Sequence, residues 1–369
     1  MFTDEHLYSI ALRKCNHIGD ISFRKLVAKI GSAEEAWKSP KKFLLKIDSF
    51  GTKTTSDIGN QDHLKFAEKE IDFCTKKNIN IHLRHQNSFP NLLLECEDAP
   101  AIIYSKGKFN HQQNAISIVG TRHVTEYGKN FIKDFTKLLS QHNAITVSGL
   151  ALGADTEVHE QSLANNIPTI AVLAHGFHTL YPSKNRNLSE LILDKGGALI
   201  TEFNSSQKPD RENFIQRNRI IAGLSAATIV VETAFGGGSI STATFANGYN
   251  REVYALPGKI TEKYSQGCNQ LIAQNKASTI STIKNLLEDL GFSQHPTLGQ
   301  LFQEEVIPNF KTSFHEKLFH LIKQQPNICL DELSLLSEFP SHTILSTLLD
   351  LELSNLIKST SSRQYRISK

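Results

Sequence analysis

Six short apolar runs rich in β-branched residues, each separated from the next by a segment of helical spacing, constrain this chain most. They are AISIV (115–119), AITVS (144–148), TIAVLA (169–174), ALITE (198–202), ATIVVE (227–232) and EVYAL (252–256). A run that is apolar on both sides of the pleat belongs to a strand buried on both faces, and strands joined through helices run parallel. The pattern predicts an α/β fold whose core is an extended Rossmann-like parallel sheet with helices on both faces. Between the first two runs, Tyr127 to Leu139 has amphipathic helical spacing, which is expected to turn Phe131, Phe135 and Leu138 to one side.

A chain of 369 residues exceeds one ordinary core, and its flanks read as separate units. Residues 1–80 read as a small helical domain. Within it, His17-Ile18-Gly19-Asp20-Ile21 and Ser49-Phe50-Gly51-Thr52-Lys53 echo each other. Each sets an apolar residue and a glycine before a helix start, as in a helix-hairpin-helix turn whose N–H groups face a phosphate. The plainer reading, a helical packing module, is preferred. Residues 81–292 hold a bridging stretch and then the sheet. Residues 293–310, with Pro296 and Gly299, read as a polar linker. Residues 311–369 give three helices (Phe314–Lys323, Leu330–Leu336, Ser341–Leu353) and a short strand pair ending in Tyr365-Arg366-Ile367, the order of a winged helix.

Composition removes several classes. With 39% hydrophobic and 21% charged residues the chain fits neither a disordered nor a membrane protein. No apolar run reaches the ~20 residues that span a bilayer, and the N-terminus does not read as a secretory signal, so a cytoplasmic protein is expected. The five cysteines are scattered, which argues for reduced thiols rather than disulfides or zinc. His175 and His178 lack a third ligand nearby, so no metal is expected. A net charge of +3 attracts a polyanion weakly, so such a ligand would depend on local clusters.

In an open parallel sheet, ligands bind beyond the carboxyl ends of the strands. The loops there are Gly120-Thr121-Arg122, Gly149-Leu150-Ala151-Leu152-Gly153, His175-Gly176-Phe177-His178, Phe203-Asn204, Gly236-Gly237-Gly238-Ser239 and Pro257-Gly258-Lys259. A dinucleotide site needs G-x-G-x-x-G after the first strand. This chain offers one glycine, a threonine hydroxyl and an arginine fork, which suit a phosphate diester. Residues 111–292 contain 16 Lys/Arg and 15 Asp/Glu, yet bases concentrate in two loops: Lys184 and Arg186, then Lys208, Arg211, Arg217 and Arg219 against Asp210 and Glu212. Gly236 to Ser239 opens a small-residue helix whose N–H groups suit a phosphate, with close helix packing as the structural alternative. Phe177, Tyr181, Phe203 and Phe214 are candidates for stacking on unpaired bases. Catalytic candidates are thin: Asp155 and His159 at helical spacing, Glu202 and Glu232 at strand ends. No nucleophile triad, H-E-x-x-H or Walker loop occurs, so neither an enzyme nor a cofactor is expected. The third helix of the C-terminal unit, Ser341–Leu353, has no Lys or Arg and carries Asp350 and Glu352. It would repel duplex DNA, so a protein contact is preferred there.

These motifs resemble the DNA-processing protein A family (DprA, also called Smf). The resemblance rests on SIVGTR (117–122), SGLALGAD (148–155), YPSKNRNL (181–188), FIQRNRIIAGLSAATIVVE (214–232), GGSISTA (237–243), ALPG (255–258) and GCNQLI (267–272), in order over nearly the whole chain. It implies a helix-hairpin-helix or SAM-like N-terminal domain, an extended Rossmann domain and a winged helix. It further implies a homodimer that binds single-stranded DNA and helps load the RecA recombinase during natural transformation. Carried over, Gly120, Thr121 and Arg122 would grip the backbone, and Lys184, Asn185, Arg217, Asn218 and Arg219 would line the same groove. Ser148, Gly149, Gly153, Gly238 and Ser239 complete the expected DNA-binding set. Gly237 stands where the family usually has serine, and His178 where aspartate is common. The rival expectation is a nucleotide- or phosphoribosyl-processing enzyme using the same pocket.

Overall fold

In the computed structural model, which describes residues 2–109, 114–292, 310, 312–325, 328–337, 339–354, 356–359 and 364–367, all six apolar runs are strands. Three more strands join them in one sheet. In chain order the nine are β1 (Ile79–Leu83), β2 (Ile102–Gly107), β3 (Asn114–Val119), β4 (Ala144–Ser148), β5 (Thr169–Val172), β6 (Ala198–Thr201), β7 (Ala227–Val230), β8 (Glu252–Ala255) and β9 (Ser278–Thr279). Their spatial order is β1-β2-β6-β5-β4-β3-β7-β8-β9. From β6 to β9 the neighbours pair in parallel, whereas β1 and β2 pair with each other, and β2 with β6, antiparallel. The chain winds outward from β3 through β4, β5 and β6, then crosses to β7 on the other side of β3. That reversal puts the topological switch point between β3 and β7.

The pleat explains why these runs read as continuous apolar segments. In β3, Ala115 and Val119 belong to the core on one face, while Ile116 and Ile118 belong to the core on the other. Ser117, on the side of Ala115, is accommodated because its hydroxyl bonds Ile221 O and Ser225 Oγ at 2.6 and 2.7 Å. The helix Glu126–Leu139 covers the second face with Phe131, Ile132, Phe135 and Leu139. Leu138 departs from the sequence expectation: it is exposed, and Leu139 takes the buried position one residue on.

The N-terminal helices run from Asp4 to Lys76 and share one core with β1 and β2, where Phe23, Leu26 and Trp37 pack with Ile81, Leu83 and Tyr104. Strand β1 thus straddles the residue 80 boundary expected from sequence. The two echoing turns are alike in structure. His17 and Ser49 both have positive φ, and Gly19 and Gly51 are extended N-caps of the helices that follow. At the first turn Asp20 accepts Ala101 N–H at 2.9 Å and meets Arg13 at 3.0 Å, so a carboxylate ties this helix start to the sheet. Glu70 makes a second joint, accepting the backbone N–H and hydroxyl of Ser205, both at 2.6 Å.

Residues 1–293 and 294–369 form two compact units. Apart from Phe310, the expected linker lies outside the described residues. The second unit contains helices Ser313–Gln324, Leu330–Ser337 and Ser341–Leu353, with β10 (Ile328–Cys329), β11 (Ile357–Ser359) and β12 (Gln364–Ile367) ordered β10-β12-β11. Leu318, Ile322, Leu333, Ile344, Leu348 and Ile357 form its core.

Candidate nucleic-acid interface

A cleft of about 480 Å³ opens at the switch point between β3 and β7. One wall is the turn Gly120-Thr121-Arg122-His123 after β3. Thr121 N–H donates to Glu232 O at 2.7 Å and Thr121 O accepts Ala154 N–H at 3.0 Å, so this turn is clamped between β7 and the helix Ala154–Ala164. Gly153 sits at φ +85, and a Cβ there would lie 2.5 Å from the Arg122 carbonyl. Glu232 accepts the N–H and hydroxyl of Thr125 at 2.7 and 2.6 Å, which starts the helix Glu126–Leu139. Its carboxylate is thus used in ordering a loop.

The opposite wall is the start of the helix Gly238–Gly248. Gly237 caps it with extended backbone and no side-chain bond; Ile240 N–H donates to Gly237 O at 3.1 Å, and the N–H groups of Gly238 and Ser239 are left without a helical acceptor. Ser239 is buried, lines the cleft, and its hydroxyl has no partner among the described residues. Asn218 donates to Ser241 Oγ at 2.9 Å and to Gly238 O at 3.3 Å, fixing this helix start against the helix Arg211–Gly223. A helix N-terminus with unused donors is a ready anion site.

Arg217 and Asp155 form the charged floor. The Arg217 guanidinium is buried and donates to Gly149 O and Val172 O. A Cβ on Gly149 would lie 2.3 Å from that guanidinium, so only glycine leaves it room. Burial brings Arg217 down to about 10, opposed by the carboxylate of Asp155, and it remains a cation at neutral pH. Burial raises Asp155, with Arg217 and the Ala151 N–H opposing. These two offset each other, and exposed Arg122 and Lys263 are left as the outward cations of the lining. Phe214 presents its ring to both arginines, 5.6 Å from Arg122 and 5.8 Å from Arg217. His123 stacks on Tyr264 at 5.7 Å.

Of the residues expected from sequence, Gly120, Thr121, Arg122, Arg217, Asn218, Gly238 and Ser239 line this cleft. Ser148 and Asn185 stand behind it. Ser148 donates to Ile118 O at 2.7 Å. Asn185 donates to Thr156 Oγ1 and Leu150 O, both at 2.9 Å, holding Leu150 at φ +57. Lys184 is exposed and outside the lining. Arg219 does not join Arg217 in the cleft: two positions on along the helix, it turns to Glu202, the Asp98 carbonyl and Asp20. His159 is fully buried against Thr169 Oγ1 at 2.7 Å, and burial lowers it to about 3, so it is neutral and apart from Asp155. The His175 ring accepts Tyr181 N–H at 3.1 Å while His178 stacks on Phe73, so the two rings do not converge. Sequence reasoning missed Lys263 and Tyr264. They reach the cleft because Thr233 N–H donates to Tyr264 O at 2.6 Å and Gly267 N–H to Thr233 O at 2.9 Å. A base beside an aromatic just after the ALPG turn was the available signal.

Fold and cleft define a Rossmann-like α/β protein whose switch point is furnished for anions. Residues 80–291 match the model of the family described as DNA recombination-mediator protein A. The chain is 32% identical to Protein Smf of Synechocystis sp. over 84% of its own length and 78% of that relative. Its fold matches the structure of DNA processing protein A (DprA) from Streptococcus pneumoniae, with a TM-score of 0.62 and 25% identity over 78% of this chain and 98% of that one. It also matches DNA processing protein A from Helicobacter pylori, a structure described for its single-stranded DNA binding mode. There the TM-score is 0.52 and the identity 25%, over 57% of this chain and 95% of that one. The chain belongs to the DprA/Smf family of DNA recombination mediators.

Proposed function

We propose that this protein binds single-stranded DNA in the switch-point cleft and hands it to the RecA recombinase, without catalysing a reaction on it. The carrying observation is the pairing of the unused helix N-terminus at Gly238-Ser239 with the outward cations Arg122 and Lys263 across one cleft. That arrangement offers backbone N–H groups and two guanidinium or ammonium heads to phosphates, and the Phe214 and Tyr264 rings to bases. The single-strand binding described for the Helicobacter pylori relative supports the reading. Phosphate-dominated binding depends little on sequence and weakens with salt. Cytoplasmic residence and a homodimeric state belong to the same proposal, as does a protein-contact role for the winged helix. Its third helix leaves Leu345, Leu349 and Leu353 exposed and carries no base. The test is fluorescence anisotropy of a labelled oligothymidine of ~35 nucleotides, long enough for several single-strand sites, at two salt concentrations with duplex as competitor. Tight, salt-sensitive binding that duplex fails to displace is expected. Absence of binding at low salt would overturn the proposal and direct the same assay to nucleoside monophosphates.

A further inference from the structure

The helix Ser341–Leu353 of the second compact unit buries one side and leaves the other bare. Ile344, Leu348 and Leu351 enter the core, whereas Leu345, Leu349 and Leu353 stand 48%, 57% and 75% exposed. At four-residue spacing the three form one stripe, with about 6 Å along the axis from each to the next. The helix Leu330–Ser337 packs beside it and leaves Leu335 and Leu336 exposed as well. The five leucines together offer on the order of 500 Å² of apolar surface, as much as the largest patch on an ordinary monomer and the mark of a contact site.

The charges around the stripe narrow its occupant. The helix Ser341–Leu353 carries no Lys or Arg. Its two acids are engaged within the unit: Asp350 lies 3.3 Å from His315 Nε2, and Glu352 Oε1 accepts the Ser359 N–H and hydroxyl at 2.9 and 2.6 Å. Neither a polyanion nor a strongly charged peptide finds its complement there. An uncharged row of leucines is matched by another such row, and the chain itself supplies one. Two copies face to face bury about 1,000 Å² in all, the size at which a contact becomes specific while staying weak. A two-fold axis presents the same patch from both sides and here sets no like charges against each other. Antiparallel helices crossing at Leu349 bring that residue against its own copy, and Leu345 against Leu353 of the other copy.

We propose that the leucine stripe is a self-association surface, through which two copies of this chain pair their Ser341–Leu353 helices antiparallel about Leu349. The inference rests on the reading that this helix contacts a protein, and it names a second copy as that protein.

The test follows the full chain by sedimentation from about 1 to 100 μM, a range that brackets a weak contact of this size. The wild type should associate as concentration rises. Leu349→Asp sets two carboxylates together at the axis and should weaken that association at least tenfold. Leu353→Asp serves the same purpose should Leu349→Asp fail to fold by circular dichroism. Leu349→Cys should crosslink to a dimer under mild oxidation, ahead of Leu345→Cys, whose copies lie about 12 Å apart along the antiparallel axis. The natural cysteines, four of them buried and Cys329 half-buried, give the background for that comparison. Unchanged association in a folded Leu349→Asp variant would overturn the pairing, and so would Leu345→Cys crosslinking as readily as Leu349→Cys. Strand exchange with a recombinase separates this outcome from the reading beneath it. A Leu349→Asp variant that associates like the wild type yet supports strand exchange poorly would overturn the second copy and keep the protein contact. Unchanged association with unchanged strand exchange would remove both.

Discussion

Two arginines separated in sequence by three strands of the sheet, Arg122 and Arg217, border one cleft and have different duties. Arg122 is exposed, whereas Arg217 spends its donors on Gly149 O and Val172 O beside Asp155. Arg122→Ala should weaken binding of single strands of any sequence by about tenfold, the value of one charge-assisted contact, with Tm unchanged. An unaltered affinity would remove Arg122 from the binding surface. Arg217→Ala leaves the buried Asp155 without its cation and should destabilise the fold by about 3–5 kcal/mol, read as a fall in denaturant midpoint. From sequence the two are equivalent bases in loops or helix starts, because burial of a guanidinium by distant carbonyls leaves no local mark. His159 belongs to the same lesson. Its folded value of about 3 lies below the unfolded imidazole range, so the unfolded chain binds the extra proton. This contribution to stability is complete above about pH 6.5 and is lost as pH falls toward 3. His159→Gln, which cannot ionise and can still bond Thr169, should flatten stability between pH 6.5 and 4 by roughly 2–3 kcal/mol. An unchanged pH profile would mean that His159 is not the group responsible.

At the scale of elements, legibility followed burial. The central strands were readable because β3 to β8 lie inside a sheet covered on both faces and so carry little but apolar residues. Strands β1 and β2 were not: INIHL alternates in burial, and IIYSKG ends in exposed Gly107. Only their long-range antiparallel pairing marks them as one edge of the sheet. The same limit applies to Arg219, which sequence grouped with Arg217. The helix turns by about 100° per residue, so neighbours two apart face opposite ways. Arg219 meets Glu202 and Asp20, joining the helix Arg211–Gly223, the loop after β6 and the N-terminal helices. Arg219→Ala strands Glu202 at that joint, while Asp20 keeps Arg13 and the Ala101 N–H, and should cost about 3 kcal/mol or more in chemical unfolding. A change below about 1 kcal/mol would show the joint to be held by the apolar core of Phe23, Leu26 and Tyr104 alone.

For the whole molecule, the net charge of +3 spread over 369 residues leaves affinity for a polyanion to the cleft. Arg217 and Asp155 offset each other there, so the lining contributes two net phosphate partners, Arg122 and Lys263. For single strands the slope of log K against log salt is about −0.7 per phosphate, which gives about −1.4 here and a fall of roughly sevenfold between 50 and 200 mM. Arg122→Ala should halve that slope. A much steeper slope in the intact chain would implicate cations outside the cleft, with exposed Lys184 and Arg186 first. The second compact unit should not be one of them, because the helix Ser341–Leu353 presents leucines and acids where a groove-reading helix presents bases. A chain ending at residue 293, the boundary of the first compact unit, should therefore retain single-strand affinity within about twofold and keep the same salt slope. Its loss should instead appear in assays that require a protein partner, such as strand exchange with a recombinase present. If truncation cut affinity tenfold and lowered the slope, the second unit would be contributing phosphate contacts, and its exposed leucines would need another explanation.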